Sequence, residues 1–253
     1  MSDNYARIAI VTGATSGIGE ATARRFVAAG FGVVGNGRTA VNLAALEKEL
    51  GSAFCGVAGD FGNNAVLDQL FVSAREHFGR PADIVVANAG IGLGGSVKNA
   101  DLSKFDVVIR TNVISTLALL QRAARKMEVQ QQGGYPKSAA DIVIVGSIAG
   151  RHVSAHSAVY AATKSAVHGL AEGLRREVGP NGVRVTLVEP GLVLSGFQVA
   201  AGYSDELVNG FKDKFGPLLI GDDVANAIYY IVTQAPHVHV SDIVIRPTRQ
   251  DYP

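Results

Sequence analysis

A chain of 253 residues, 47% of them hydrophobic and 30 of them glycine, is long enough for one large α/β domain with a sizeable core. Its formal net charge of +1 gives no electrostatic reason to bind nucleic acid or an anionic membrane, and its single cysteine, Cys55, excludes an intramolecular disulfide and a cysteine-rich metal site. The opening residues MSDNYARIAIVTG lack a basic region followed by a signal-like apolar run, and no stretch of about 18 apolar residues follows, so a cytoplasmic protein is expected.

Seven short runs rich in β-branched residues are predicted to be strands: RIAIVTG from Arg7, FGVVGNG from Phe31, AFCGVAGD from Ala53, ADIVVANAG from Ala82, DIVIVGS from Asp141, VRVTLVEPG from Val183 and VSDIVIRPT from Val240. Most are apolar throughout, the mark of a strand covered on both faces. Between them, segments such as GEATARRFVAAG and SAVHGLAEGLRREVG carry apolar residues at helical spacing. Regular alternation of strand and helix predicts an α/β Rossmann architecture, a doubly wound seven-stranded parallel sheet with helices on both faces, over residues 1–253 as one domain. Two segments break the rhythm. Val129–Ala140 reads as an extended surface loop, and 192–220, with Phe197, Tyr203, Phe211 and Phe215 among four glycines, reads as a mobile substrate lid.

At the first strand–helix junction, IAIVTGATSGIGEATARRF sets Gly13, Gly17 and Gly19 where glycine permits a tight turn and helix-start amides favour a phosphate. After the second strand, where an acid would bind the ribose 2′-hydroxyl of NAD, the run VVGNGRTA has none. Arg38 offers a charged fork for a 2′-phosphate and Thr39 a hydroxyl, which points to NADP(H) rather than NAD(H). Asp60, after the third strand, either meets the adenine edge or caps the next helix.

Further along, SAVYAATKSA places Tyr160 and Lys164 four residues apart, one above the other on a helix face. A neighbouring ammonium favours the phenolate, so a lowered Tyr160 pKa and proton exchange with an alcohol or carbonyl oxygen are expected.

In this order and at these spacings, TGATSGIG from Thr12, ANAG from Ala87, Asn112 in a helix, Ser147 in VGSIAG, YAATK from Tyr160 and EPGLVLS from Glu189 make the chain resemble the short-chain dehydrogenase/reductase family over essentially its whole length. The resemblance implies hydride transfer between a nicotinamide and an alcohol or carbonyl carbon. Tyr160 would be general acid and base, and Lys164 would lower its pKa while binding the nicotinamide ribose. Ser147 would hold the substrate oxygen, and Asn112 a water leading from Lys164 to solvent. Cofactor contacts implied in the same way are Gly13, Thr15, Ser16, Gly17, Ile18 and Gly19 in the turn, Arg38 and Thr39, then Asp60 and Phe61, then Asn88, Ala89 and Gly90. Pro190 and Gly191 would turn the chain beneath the nicotinamide, with the Val193 backbone and the Ser195 hydroxyl at its carboxamide. Ala87 stands where the family often has a second asparagine, and Ser195 where threonine is commoner. The ending VSDIVIRPTRQ and the segment SIAGRHVSAHSAVY further resemble a subgroup that includes clavulanate dehydrogenase, with ribitol dehydrogenases more distant.

The small-residue face of the Tyr160 helix, with Ala161, Ala162, Ala166, Gly169 and Ala171, suits the homodimers or homotetramers common in the family. His168 is expected to pack against another element or subunit. His152 and His156 flank the pocket mouth, and the pair His237 and His239 lacks companions for a metal, so no metal is expected. The expected activity is NADP(H)-dependent oxidation of a secondary alcohol or reduction of its carbonyl partner. The alternatives are an NAD-dependent polyol or sugar-alcohol dehydrogenase and a nucleotide-binding sensor without turnover.

Overall fold

The computed structural model describes residues 5–251. Seven strands, β1 (Ile8–Thr12), β2 (Gly32–Gly37), β3 (Phe54–Ala58), β4 (Ile84–Ala87), β5 (Ala140–Val145), β6 (Val183–Pro190) and β7 (Asp242–Ile245), form one sheet of order β3-β2-β1-β4-β5-β6-β7. Every neighbouring pair is parallel. The predicted Rossmann-type architecture is therefore the observed one.

Successive side chains of a strand point to opposite faces, so an uninterrupted apolar run feeds two cores. Ile8, Ile10, Ile142 and Ile144 pack on one face with Leu67, Leu70, Leu119 and Met127 of α3 (Asn64–Phe78) and α5 (Thr116–Gln131). Ala9, Val11, Val143 and Val145 pack on the other with Phe26, Leu43 and Ile228 of α1 (Gly17–Ala28), α2 (Ala40–Leu50) and α9 (Gly221–Val232). The chain winds outward in both directions from the β1–β4 pair, and the crevice for a ligand opens at the carboxyl ends of these strands.

Two segments differ from expectation. Helix α5 takes the first three residues of the predicted loop, because Val129, Gln130 and Gln131 extend a good helical run and the breakers come only at Gly133 and Gly134. The segment 192–220 holds two helices, α7 (Phe197–Ala200) and α8 (Asp205–Phe215). Ser204 caps α8 by accepting from Leu207 N at 3.2 Å, Asp205 and Glu206 lie in its first turn, and Lys212 and Lys214 in its last, matching the helix dipole at both ends. That signal was in the sequence, behind the glycines. Among the described residues no helix is long and apolar enough to cross a membrane.

At the opposite, amino-terminal end of the strands lies an ionic cluster. Asp141, 1% exposed, takes a two-point contact from Arg184 at 2.8 and 2.9 Å and another from Arg7 at 2.6 Å. Arg7 also reaches Asp83 at 3.3 Å, and Arg184 donates to the carbonyls of Gln234, Ala235 and Val238.

Candidate active site

The carboxyl ends of β1 and β4 are joined through Thr12, whose hydroxyl accepts from the amides of Asn88 at 3.0 Å and Ala89 at 3.1 Å. Asn88 returns the contact by donating from Nδ2 to Thr12 O at 2.9 Å. Its side chain thus braces the glycine turn. The turn is as tight as its glycines permit: a Cβ on Gly19 would lie 2.2 Å from the Gly13 carbonyl oxygen, and Gly13 itself has φ +67°. Gly19→Ala is therefore expected to displace the turn and cut nucleotide affinity by roughly tenfold or more, read by fluorescence titration with NADPH.

Ser16 precedes α1 without a side-chain cap, leaving the helix-start amides of Gly17, Ile18 and Gly19 for a phosphate. At the end of β2, Gly37 admits the Thr15 side chain, which a Cβ there would meet at 2.4 Å. Arg38 and Thr39 are exposed at the start of α2, whose first turn holds no acid and whose N-cap Thr39 makes no side-chain bond. Asp60 accepts from Gly62 N at 2.8 Å, and the cap of α3 is Asn63, which accepts from Ala65 N. Capping by Asp60 is thereby excluded. Phe61 is buried beside it. This donor set fits a dinucleotide with a phosphorylated ribose.

Asn112 lies in a π-helical turn, Arg110–Ser115, between α4 (Phe105–Ile109) and α5. The wider turn carries the asparagine inward to 1% exposure. Its Oδ1 accepts from Ile91 N at 2.9 Å, and its Nδ2 donates to Ile91 O at 2.8 Å and Thr163 Oγ1 at 3.1 Å. Thr163 in turn donates to Tyr160 O at 2.7 Å. A Cβ on Gly90 would sit 3.3 Å from Asn112 Oδ1 and 3.8 Å from Lys164 Nζ, so both groups face the Gly90 backbone.

Tyr160 and Lys164 share one face of α6 (Ala158–Val178), as expected, with Nζ 5.8 Å from the phenol ring centre. Their electrostatics differ from expectation. Lys164 Nζ donates to Val145 O at 2.8 Å, and burial pushes the ammonium down to about 8. Burial pushes the Tyr160 phenol up, the nearby Tyr203 phenol pushes it further, and only a hydrogen bond with Ser147 pulls it down. In the protein alone, therefore, desolvation outweighs the ammonium, and the phenol stays protonated. Ser147 is fixed at the end of β5, its hydroxyl accepting from Ala149 N at 3.1 Å.

Beyond β6, Gly191 is held by Gln250: a Cβ would meet Gln250 Oε1 at 2.3 Å, and the same oxygen accepts from Leu192 N at 3.0 Å. The Val193 carbonyl accepts from Gln198 Nε2, and the Ser195 amide donates to Gln198 Oε1, so one glutamine organises the segment expected at the carboxamide. Ser195 abuts the glycine turn, 3.1 Å from where a Gly17 Cβ would be. Phe197 sits 5.5 Å from the Tyr160 ring and, with Ala201, closes on Gly92. Thr12, Thr163, Gln198 and Gln250 were given no role from sequence. Thr12 and Thr163 carried a signal, lying inside TGATSGIG and YAATK.

His168 packs against Gly146 and Gly150, on the loop that follows β5, and thus meets another element of its own chain. The exposed His152 and His156 flank this loop, the His156 carbonyl accepting from Gly95 N. His239 meets the Val185 backbone at the far end of the sheet.

The family model for short chain dehydrogenases matches residues 7–204. A serine 3-dehydrogenase of Agrobacterium fabrum is 33% identical over 96% of this chain and 94% of its own. An uncharacterized oxidoreductase of Staphylococcus aureus is 34% identical over 95% and 97%. Among solved structures, the closed form of a serine dehydrogenase complexed with NADP+ superposes with a TM-score of 0.85 at 30% identity, covering 97% of this chain and 96% of that one. A 3-ketoacyl-(acyl-carrier-protein) reductase from Brucella melitensis complexed with NADH gives 0.86 at 28% identity, covering 97% and 98%.

Proposed function

The chain belongs to the short-chain dehydrogenase family of oxidoreductases, which use a nicotinamide cofactor, and from that premise we propose an NADP(H)-dependent enzyme that interconverts a secondary alcohol and its carbonyl partner. The observation that carries the cofactor choice is Arg38, exposed and free of ion pairs among the described residues, at the start of a helix without an acid in its first turn. A carboxylate there would repel a 2′-phosphate, whereas a guanidinium binds it through a planar fork. The NADP+ in the serine dehydrogenase structure supports the same choice.

When bound, the nicotinamide supplies or accepts the hydride. Helix-start amides at Gly17 and Ile18 would hold the pyrophosphate, and the Pro190–Gly191 turn would bear the ring. Tyr160 holds a proton at its hydroxyl and gives it to the carbonyl oxygen in reduction. Ser147 grips that oxygen as charge develops on it. Lys164, buried and charged, makes the phenol a better acid as the site fills. Phe197 shields Tyr160 from water, and the aromatic lid suits a modest, partly apolar substrate.

The test is nicotinamide absorbance with NADPH against ethyl acetoacetate, an aliphatic ketone and a ketose, and with NADP+ against serine, the primary alcohol two relatives are named for, whose turnover in place of the ketones would overturn the secondary-alcohol assignment. Arg38→Ala is expected to lose roughly 10- to 100-fold in kcat/KM with NADPH while leaving NADH turnover within about twofold. An unchanged preference between the two cofactors would remove Arg38 from the site and favour the NAD-dependent polyol dehydrogenase.

A further inference from the structure

Glu189 is the penultimate residue of β6, completely buried, and it touches no part of the proposed reaction. A carboxylate survives such burial only when paired and hydrogen-bonded. Its partner is Arg151, whose Nε donates to both carboxylate oxygens at 2.8 and 2.6 Å. The same guanidinium lies 3.6 Å from Asp242 on β7, and His168 Nδ1 lies 3.6 Å from Glu189 on the other side. The imidazole fills the space beside Gly146 and Gly150, where added Cβ atoms would meet it at 2.7 and 2.4 Å, and its Nε2 is buried without a partner among the described residues.

These contacts enclose the loop that carries Ser147. Helix α6 grips it at three points on two successive turns: Lys164 to the Val145 carbonyl and Ser165 Oγ to the Gly150 carbonyl at 2.9 Å, then His168 against Gly146 and Gly150. Arg151 then ties the end of the loop to Glu189, directly before the Pro190–Gly191 turn. We propose that Arg151, Glu189 and His168 form a positioning device that sets the Ser147 hydroxyl relative to the Pro190–Gly191 turn, which on the proposed function are the grip on the substrate oxygen and the seat of the nicotinamide. One charged Nε–H shared by both carboxylate oxygens, with the same guanidinium 3.6 Å from Asp242, holds the end of the loop more tightly than apolar packing does. Misplacing a reacting group by about 1 Å costs up to about 100-fold.

Arg151→Met tests this. It leaves Glu189 a buried anion whose remaining partner within 4 Å, among the described residues, is His168. The groups facing His168 are Glu189, Lys164, Arg151 and Asp242, and the β5 loop presents only backbone. In the wild type burial holds the imidazole neutral. Without Arg151, Glu189 raises the His168 pKa, and the imidazolium replaces the missing charge as pH falls through that value.

On the carbonyl reduced fastest by the wild type, Arg151→Met is expected to lose roughly 10- to 100-fold in kcat at about pH 8, with KM for NADPH within about threefold. Part of the loss returns toward about pH 6, and the return vanishes in Arg151→Met/His168→Asn. Arg151→Lys, keeping the charge on a single donor group, recovers most of the rate. If Arg151→Met does not fold, Glu189→Gln, which removes the charge and keeps the shape, is expected to show the same kcat loss. Wild-type kcat in Arg151→Met or Glu189→Gln, or a loss of equal size at every pH with and without His168, overturns the proposal. Amide hydrogen exchange needs no substrate and keeps this failure apart from failure of the functional reading: exchange should rise together in segments 146–156 and 189–194, and a rise confined to the first overturns the device even if no carbonyl is reduced.

Discussion

Tyr160→Phe is expected to lower turnover by about three orders of magnitude, or about 4 kcal/mol of transition-state free energy, while NADPH affinity stays within about twofold. The ring keeps its contact with Phe197, and Ser147 loses its bond with the phenol while keeping the one it accepts from Ala149 N, so the disruption stays at the reacting groups. What disappears is the proposed proton donor, the phenol hydrogen-bonded to Ser147. The direction of the reaction sets the pH dependence. Burial holds the phenol up, so the acid needed for reduction is present across neutral pH. Burial also pushes Lys164 down to about 8, so its charge is complete well below that value and lost above it. Reduction should therefore fall as pH rises through about 8, whereas a chain in which the phenol alone titrated would hold its rate to higher pH. Equal turnover by Tyr160→Phe and the wild type would remove the proposed proton donor.

That pKa behaviour also marks where sequence reading stopped. The four-residue spacing of Tyr160 and Lys164 was enough to place them on one face, because helical geometry is local. Whether ammonium or burial governs the phenol depends on Phe197 and Tyr203, which arrive from a segment some 40 residues away by a path no local pattern specifies. The glycine turn followed from backbone sterics, yet the inward direction of Asn88 followed from Thr12, across the β1–β4 pair. The sheet was legible for a physical reason: strands buried on both faces must be apolar at every position, and helices over them must be amphipathic at 3.6-residue spacing. Helix α8 was obscured because glycines at 202, 210 and 216 read as flexibility, although Ser204, Asp205 and Glu206 announced its start. Least legible were the paired charges. Glu189 sits in a strand that reads mostly as core, and its partner lies 38 positions earlier.

The cluster at the base of the sheet follows the same logic, and its loss should give the largest stability effect. Asp141→Ala is expected to destabilise the fold by about 3–5 kcal/mol, because Arg184, nearly as buried as the aspartate, would face Arg7 with no intervening anion. For a chain of this size that is a fall in Tm of roughly 8–15 °C. Activity at a temperature where the variant remains folded should stay within about twofold: Asp141 lies six residues before Ser147 along an extended strand, about 20 Å away. The cost arises from the orphaned charge and not from the pair as such. Asp141→Leu combined with Arg184→Met should therefore lose far less than the sum of the two single variants, since it removes both buried charges and leaves Arg7 its contact with Asp83. Additive losses in that double-mutant cycle, measured by urea unfolding, would mean that Arg184 contributes through its backbone contacts and not through its pair with Asp141. The three carbonyls that Arg184 caps near the end of α9 are where such a contribution would lie.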